Sequence, residues 1–429
     1  MIKSAEILII GGGIIGTSLV YHLSKSGIGD ICLLDQGELA SGSTGDSAAI
    51  VRHHYTNEIS IKLVKDSVDI LSQLQTETGH KFFQQNGWVF LCPENATSMF
   101  DSNMKQLIDL GVNTKEIDMN EAVSLLPKIN QNGISKIAYE PNSGYAEPKP
   151  VVNAFAQVAE NNGANIYTNT KVIGINKSNN QIDSVDTNKG TIKTNTLINA
   201  AGPWAYGISQ LAGVDLPLTV SREQEIMLTN PKRKSGLTLS VSNMVDKIYL
   251  RPKGNHSILV GQGHPKTNEI VHPDRFNRNA DNAFIDETRS RVINRFPDFR
   301  DFHVSASWSG LYTITPDWHM IIDNQLPLQG YIVAVGGSGH SFKLGPSIGK
   351  HLAQKITGAK NDLIDISSLG LSRFKSNEEF KSTYGGKRLT RSLPITYNSN
   401  LTSLRITLLS LKTVSLIKRS SNVLLPFEI

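Results

Sequence analysis

Two glycine-rich stretches lie far apart in the chain, GGGIIG at residues 11–16 and GGSGHSFKLGP at 336–346. The first satisfies G-x-G-x-x-G, and Asp35 follows 19 residues beyond Gly16. In such a loop Gly11 permits a tight turn, Gly13 lets a pyrophosphate approach the backbone, and Gly16 lets a helix pack on a strand. Ile14 and Ile15 open that helix, whose unpaired N–H groups and partial positive charge suit phosphates. Asp35 would accept hydrogen bonds from an adenosine ribose. The pattern alone leaves NAD and FAD open. The second stretch carries His340 and Lys343, and a cation near a helix start is disfavoured unless an anion lies nearby.

These residues need particular elements to position them. AEILII (5–10) reads as a short buried strand, the next residues as a helix stopped by Gly27, and DICLLD (30–35) as the following strand. That βαβ opening sets the first loop on a strand-to-helix turn. Residues 58–75 give an amphipathic helix, and 151–163 a helix stopped by glycine. NIYTN, TLINAAG (196–202) and GYIVAVGG (330–337) read as further strands of the first kind, the last leading to a helix over roughly 344–356. GWVFLCP (87–93), REQEIMLTN (222–230) and the hairpin pair within 248–261, turning at Lys253-Gly254-Asn255, have a different, β-rich texture. The expected fold is α/β (α+β overall). A Rossmann-like dinucleotide domain is built discontinuously from residues 1–80, 145–215 and 310–388. A mainly antiparallel β substrate domain, residues 81–144 and 216–309, is inserted in pieces.

Composition bounds the function. With 39% hydrophobic and 19% charged residues among 429, the chain is an ordinary globular protein, long enough for two domains. Two cysteines, Cys32 and Cys92, are too few for a disulfide framework or a four-thiolate zinc site, which fits a reducing, cytoplasmic setting. The N-terminus lacks signal-peptide character, and no apolar run is long enough for a stable membrane span. The net charge of +5 concentrates in residues 386–429, which hold seven basic residues and one acid. The rest is near neutral, so nucleic acid is not an expected partner. The tail, 389–429, is read as a basic extension of unknown role, either an ordered amphipathic segment or an extension without catalytic part.

Three further stretches choose among cofactors: SGSTGDSAAIVRHHY (41–55), LINAAGPWA (197–205), and WSGLYTITPDWHMIIDN (308–324) with the second glycine loop. Together with the first loop, and in this order, they resemble the D-amino-acid-oxidase-type flavoprotein superfamily, nearest its sarcosine oxidase, sarcosine dehydrogenase and glycine oxidase branch. The resemblance covers residues 5 to about 388. It implies FAD in an extended form, with Gly11, Gly13, Ile14, Ile15, Gly16, Asp35, Ser43, Thr44, Val172, Ala201, Gly202, Gly337, Gly339, His340 and Lys343 as cofactor contacts. Arg52 and Lys343 match the pair that binds the substrate carboxylate in monomeric sarcosine oxidases, and Tyr312 matches a tyrosine near that substrate. His54 is expected to border the pocket. Gly310 stands where those oxidases have the flavin-attaching cysteine, and Asp46 where related dehydrogenases have a flavin-attaching histidine, so FAD is expected to be non-covalent. Leu259 replaces a lysine that assists oxygen, which tilts the reading toward a dehydrogenase.

The implied chemistry is oxidation of a small secondary amine or amino acid, sarcosine-, glycine- or proline-like, by hydride transfer from the C–H beside nitrogen to flavin N5. The resulting imine hydrolyses. Arg52 and Lys343 would hold the carboxylate. Electrons would pass to oxygen or an electron-transfer protein, and a hetero-oligomer is possible on this reading. Each side chain also has a plainer role: Arg52 in a surface ion pair, Tyr312 in the core, Lys343 solvated. His53, His54, His264 and His340 are not spaced as a metal set. The alternatives are a flavoprotein subunit passing electrons to a partner, an NAD-linked dehydrogenase, and a non-catalytic nucleotide-binding module. An NAD enzyme does not explain Ala-Ala-Gly-Pro or the late glycine loop. A binding module does not explain Arg52 and Lys343 together.

Overall fold

In the computed structural model residues 2–126, 128–263, 267–359 and 364–380 are described. His264 and the tail 389–429 lie outside them, as do the last residues of the expected dinucleotide domain. All described residues fall in one compact unit.

Strand Ile7–Ile10 is buried along its whole length, as an all-apolar, isoleucine-rich run requires at the centre of a parallel sheet. It lies between Ile31–Leu34 and Leu197–Asn199, in register Ile7↔Ile31 and Leu8↔Leu197. The six-stranded sheet continues outward to Asn165–Tyr167 on one side, and to Tyr331–Val335 and then Ile321–Asp323 on the other. Only the Ile321–Asp323 pairing is antiparallel.

The second sheet interleaves with the first along the chain. Its order runs Glu269–Ile270, Thr219–Thr229, Ser257–Gln262, Ile248–Lys253, Ser240–Asn243, Trp88–Cys92, Lys136–Glu140 and Lys115–Glu116, with His303–Ile314 also paired to Thr219–Thr229. All pairs are antiparallel except Ser240–Asn243 with Trp88–Cys92. The expected hairpin is present and turns with Gly254 at φ +65°. One element was not anticipated: an antiparallel meander, Val172–Ser178, Gln181–Thr187 and Gly190–Lys193, stands where only parallel strands were expected. Its first turn has Asn179 and Asn180 at φ +51° and +59°. Asparagine tolerates that left-handed geometry, which suits the twist of a tight hairpin.

Helix Ile14–Ser24 is buried on almost every side because it lies between the parallel sheet and helix Ser341–Thr357. Two glycines of the later helix permit the approach. A Cβ at Gly349 would stand 2.4 Å from Ser18 Oγ, and one at Gly345 would stand 3.0 Å from Ile14. Ser18 Oγ also donates to the Pro346 carbonyl at 2.8 Å. The helix of the first glycine loop and the helix of the second are therefore locked together, which fixes the two loops relative to one another. Helix Glu58–Thr78 is capped by Asn57 Oδ1, accepting from Ser60 N–H at 2.9 Å, and ends at Gly79 with φ +71°. Among the described residues no helix is long and apolar enough to cross a membrane.

Candidate functional site

The first glycine loop has no room for side chains. Gly11 has φ +117°, and a Cβ there would meet the Ala200 carbonyl oxygen at 2.3 Å. At Gly16 a Cβ would lie 1.9 Å from the Gly11 carbonyl oxygen. Asp35, at the end of the second strand, accepts Gly12 N–H at 2.6 Å and Gly37 N–H at 2.8 Å, one on each carboxylate oxygen. It thus braces the loop, and each oxygen keeps a second acceptor direction for a ligand. Thr44 Oγ1 accepts Ile14 N–H at 3.2 Å, tying the 41–55 segment to the helix start.

Around these groups opens a cavity of about 570 Å³. Gly11, Gly13, Ile14, Ile15, Asp35, Ser43, Thr44, Val172, Ala201, Gly202, Gly337 and Gly339 line it. Gly16 does not; it sits behind the loop as the packing glycine. A Cβ at Gly202 (φ +51°) would meet nothing within 4 Å. The cavity is long, running from Asp35 and Val172 past the helix start to Tyr312 and the second glycine loop. Bare backbone at a helix N-terminus, an acid at the second strand and an extended shape fit FAD, with the pyrophosphate at the loop.

A second cavity of about 910 Å³ shares Ser43, Ser47, Leu311, Tyr312, Gly337, Ser338, Gly339 and Phe342 with the first. The two form one continuous recess. The late loop bends tightly there: Gly336 and Gly339 have φ +75° and +80°, and Ser338 adopts φ +46°. A Cβ at Gly339 would strike the Tyr312 ring at 2.4 Å. Arg52, His54, Tyr312, His340 and Lys343 all line the second cavity. Of the cofactor candidates, His340 and Lys343 face this cavity rather than the first.

The Arg52 segment is held from below by Glu140, which is fully buried. Glu140 accepts His53 N–H at 2.8 Å and Ser143 Oγ at 2.6 Å, and Ser143 Oγ meets His53 Nδ1 at 2.8 Å. Arg52 donates to the His54 carbonyl and lies over the Tyr55 ring at 4.9 Å. Lys343 approaches the same ring, its Nζ 6.0 Å from the centroid, and is 8% exposed. Burial, with Arg52 adding repulsion, holds its ammonium well below the usual lysine range. Among the described residues neither cation has a carboxylate within ion-pair distance. Two cations packed together without a counterion make a receptor for an anion.

His54 packs with its ring tilted against Phe90 at 4.7 Å and Trp88 at 5.3 Å, and burial pushes its imidazole down to about 4. It is a neutral, shape-giving wall. His340 Nδ1 is 3.1 Å from Tyr55 Oη. Asp46 and Gly310 abut one another: a Cβ at Gly310 would lie 2.8 Å from that of Asp46. Leu259 is 4% exposed in the hydrophobic core and lines neither cavity.

Sequence reading missed the opposite wall. Glu223 and Glu225, from the strand within REQEIMLTN, are buried and line the second cavity with Tyr249. Tyr249 Oη donates to Glu225 Oε1 at 2.8 Å, and Ser221 Oγ donates to Glu223 Oε1 at 3.0 Å. The available signal was two glutamates at a spacing of two just before the apolar run Ile226–Leu228, which puts both on one face of the strand. Among the described residues no cluster of His, Cys, Asp or Glu forms a metal site.

The model of one protein family, DAO, FAD dependent oxidoreductase, matches residues 6–355. The mouse (Mus musculus) mitochondrial pyruvate dehydrogenase phosphatase regulatory subunit is 28% identical over 92% of this chain, which spans 46% of that protein. The chain thus corresponds to less than half of that relative. Sarcosine oxidase subunit beta from Arthrobacter sp is 25% identical over 87% of this chain and 92% of its own length. The crystal structure of L-proline dehydrogenase from P. horikoshii superposes with a TM-score of 0.81 at 28% identity, covering 88% of this chain and 99% of that one.

Proposed function

The chain belongs to the DAO family of FAD-dependent oxidoreductases, and from that premise we propose that it oxidises a small carboxylated secondary amine or amino acid of the sarcosine, glycine or proline kind. The observation that carries this reading is the pair of cations, buried Lys343 and half-buried Arg52, without a carboxylate partner among the described residues, in a cavity continuous with the glycine-lined one. FAD, when bound, supplies the acceptor for the hydride that leaves the carbon beside nitrogen.

The chain's own residues do the rest. Residues 11–16, Ser43, Thr44, Val172, Ala201 and Gly202 would hold the cofactor, and Gly337 and Gly339 would allow its close approach at the border of the two cavities. We assign residues 1–80, 145–215 and 310–388 to this cofactor part and 81–144 and 216–309 to the substrate part. Arg52 and Lys343 bind the substrate carboxylate, the arginine by a planar fork and the lysine as a compact charge. Tyr312, His54 and Phe90 exclude water and orient the amine. Asp46 and Gly310 offer neither the histidine nor the cysteine that anchors flavin covalently in relatives, so FAD is held without a covalent bond. The dehydrogenase preference rested on Leu259. Leu259 lies in the core, away from both cavities, so turnover with oxygen or another acceptor decides between oxidase and dehydrogenase.

Purified protein should show a flavin spectrum, and acid precipitation should release the flavin into the supernatant. Anaerobic titration with sarcosine, dimethylglycine, glycine, proline and D-amino acids should bleach the flavin for at least one of them. Repeating turnover with air and then with a dye acceptor separates oxidase from dehydrogenase. A flavin-loaded protein that no member of the panel bleaches would contradict the reading. It would favour the regulatory role named for the mouse relative.

A further inference from the structure

The second cavity has two chemically opposed walls. Arg52 and Lys343 line it from the 41–55 segment and helix Ser341–Thr357, and Glu223, Glu225 and Tyr249 from strands Thr219–Thr229 and Ile248–Lys253. Glu225 is 6% exposed, and its Oε2 has no hydrogen-bond partner, whereas Oε1 accepts from Tyr249. A buried carboxylate oxygen without a donor is costly unless something outside the protein completes it. The groups around Glu225 are Tyr249, Tyr312, Glu223, Asp46, Arg251 and the Ala48 backbone N–H, which approaches the carboxylate without closing a full hydrogen bond to Oε2. Arg251, the cation among them, is 1% exposed and committed elsewhere: its Nε donates to the Ala48 carbonyl at 2.5 Å and its Nη1 bonds Glu147 at 3.3 Å. Among the described residues no cation forms an ion pair with the carboxylate, although Lys247 also lines the cavity.

We propose that Glu225 binds the substrate's ammonium group and accepts its proton before oxidation, so that the cavity is a receptor for a zwitterion. This rests on the carboxylate role of Arg52 and Lys343 given above. In the step, one N–H bond breaks, its electron pair stays on nitrogen, and the proton adds to Glu225. No electron leaves the substrate at this point. The neutral amine so formed has the lone pair needed to support departure of hydride from the adjacent carbon, which a protonated amine lacks. Burial pushes the Glu225 carboxyl up to about 7, against weaker lowering by Tyr249, Arg251 and the Ala48 backbone N–H, which brings it within range of an amine proton.

The test uses the flavin-loaded protein and two unreactive ligands. Acetate carries only the carboxylate; trimethylglycine carries the carboxylate and a fixed positive nitrogen. Binding is read by calorimetry and by perturbation of the flavin band. Glu225→Gln should weaken trimethylglycine by roughly tenfold or more while acetate binds equally well or tighter. The bulk of the trimethyl group is controlled by measuring sarcosine reduction anaerobically, whose rise with pH in the wild type should be lost in the variant. Equal effects of Glu225→Gln on both ligands would overturn the proposal. A wild type that binds neither ligand would instead overturn the Arg52–Lys343 reading. Should Glu225→Gln not retain flavin, the wild type decides. On acidification below about 7 its trimethylglycine affinity should fall relative to acetate, and a constant ratio would overturn the proposal.

Discussion

The two cavities are built by opposite means. The first is made of backbone: Gly11, Gly13, Gly202 and the helix start at Ile14 shape it, and added methyl groups at Gly11 or Gly16 would collide with main-chain oxygens. The second is made largely of charged and aromatic side chains from many separate stretches, among them those around Arg52, Trp88, Glu225, Tyr249, Tyr312 and Lys343. A site made of backbone demands glycine at fixed spacing and so leaves a local signature. One made of side chains needs only that distant residues converge, and its signature is spread over some 300 positions.

The largest effect should come from filling the backbone site. Gly16→Val places carbon against the Gly11 carbonyl and separates the first helix from its strand. It should abolish flavin content and lower the melting temperature by roughly 5–10 °C. Absorbance of the purified variant and a thermal melt check this; retained flavin would mean the loop has slack that the geometry denies.

Removing a cation from the second cavity should leave flavin in place. Arg52→Ala should raise the half-saturating concentration of a carboxylated amine about 100-fold, the scale of a charge-assisted hydrogen bond, with flavin content unchanged. Lys343→Met should also impair substrate binding yet stabilise the ligand-free protein by roughly 2–4 °C, because an ammonium that burial disfavours is replaced by an apolar chain of similar shape. A melting temperature that falls instead would show Lys343 to be paired within the protein.

A smaller effect concerns pH. The Glu225 carboxyl is raised in the folded protein to about 7 and Asp46 to about 6, both by burial. Between the ordinary carboxylate range and these values the folded chain binds more protons than the unfolded one. Each group's contribution is therefore fully present at low pH and lost as pH rises through its folded value. Glu225→Gln should accordingly raise the melting temperature more at pH 8 than at pH 5. A uniform shift across that range would remove Glu225 as the titrating group. The smallest effect is expected from deleting residues 391–429, which lie beyond the family match to residue 355. Flavin content and turnover should not change.

The difference between the cavities also governs what could be read from sequence. The strand at Ile7–Ile10, the glycine loop, Asp35 and the late strand into Gly336 were all visible, because buried β-branched runs and glycine turns are local demands of the chain. Arg52 was found only through resemblance, while Lys343 also stood out as a cation at a helix start. Glu225 and Tyr249 were not found, since a glutamate in REQEIML reads equally as the solvent face of a strand. Its burial follows from pairing with His303–Ile314 and Ser257–Gln262, strands supplied by later parts of the chain. The Asn179-Asn180 hairpin was within reach, but its left-handed turn was overlooked amid strands assumed to be parallel.

The central claim is that the recess is one site, with the cofactor in the backbone-walled part and a carboxylated amine in the charged part. Its most direct test is anaerobic flavin reduction by the best substrate of the panel in wild type and in the Arg52→Ala, Lys343→Met double variant, at matched flavin content. The half-saturating concentration should rise by roughly two orders of magnitude or more in the double variant, with the oxidised flavin still stoichiometrically bound. An unchanged half-saturation would contradict the account.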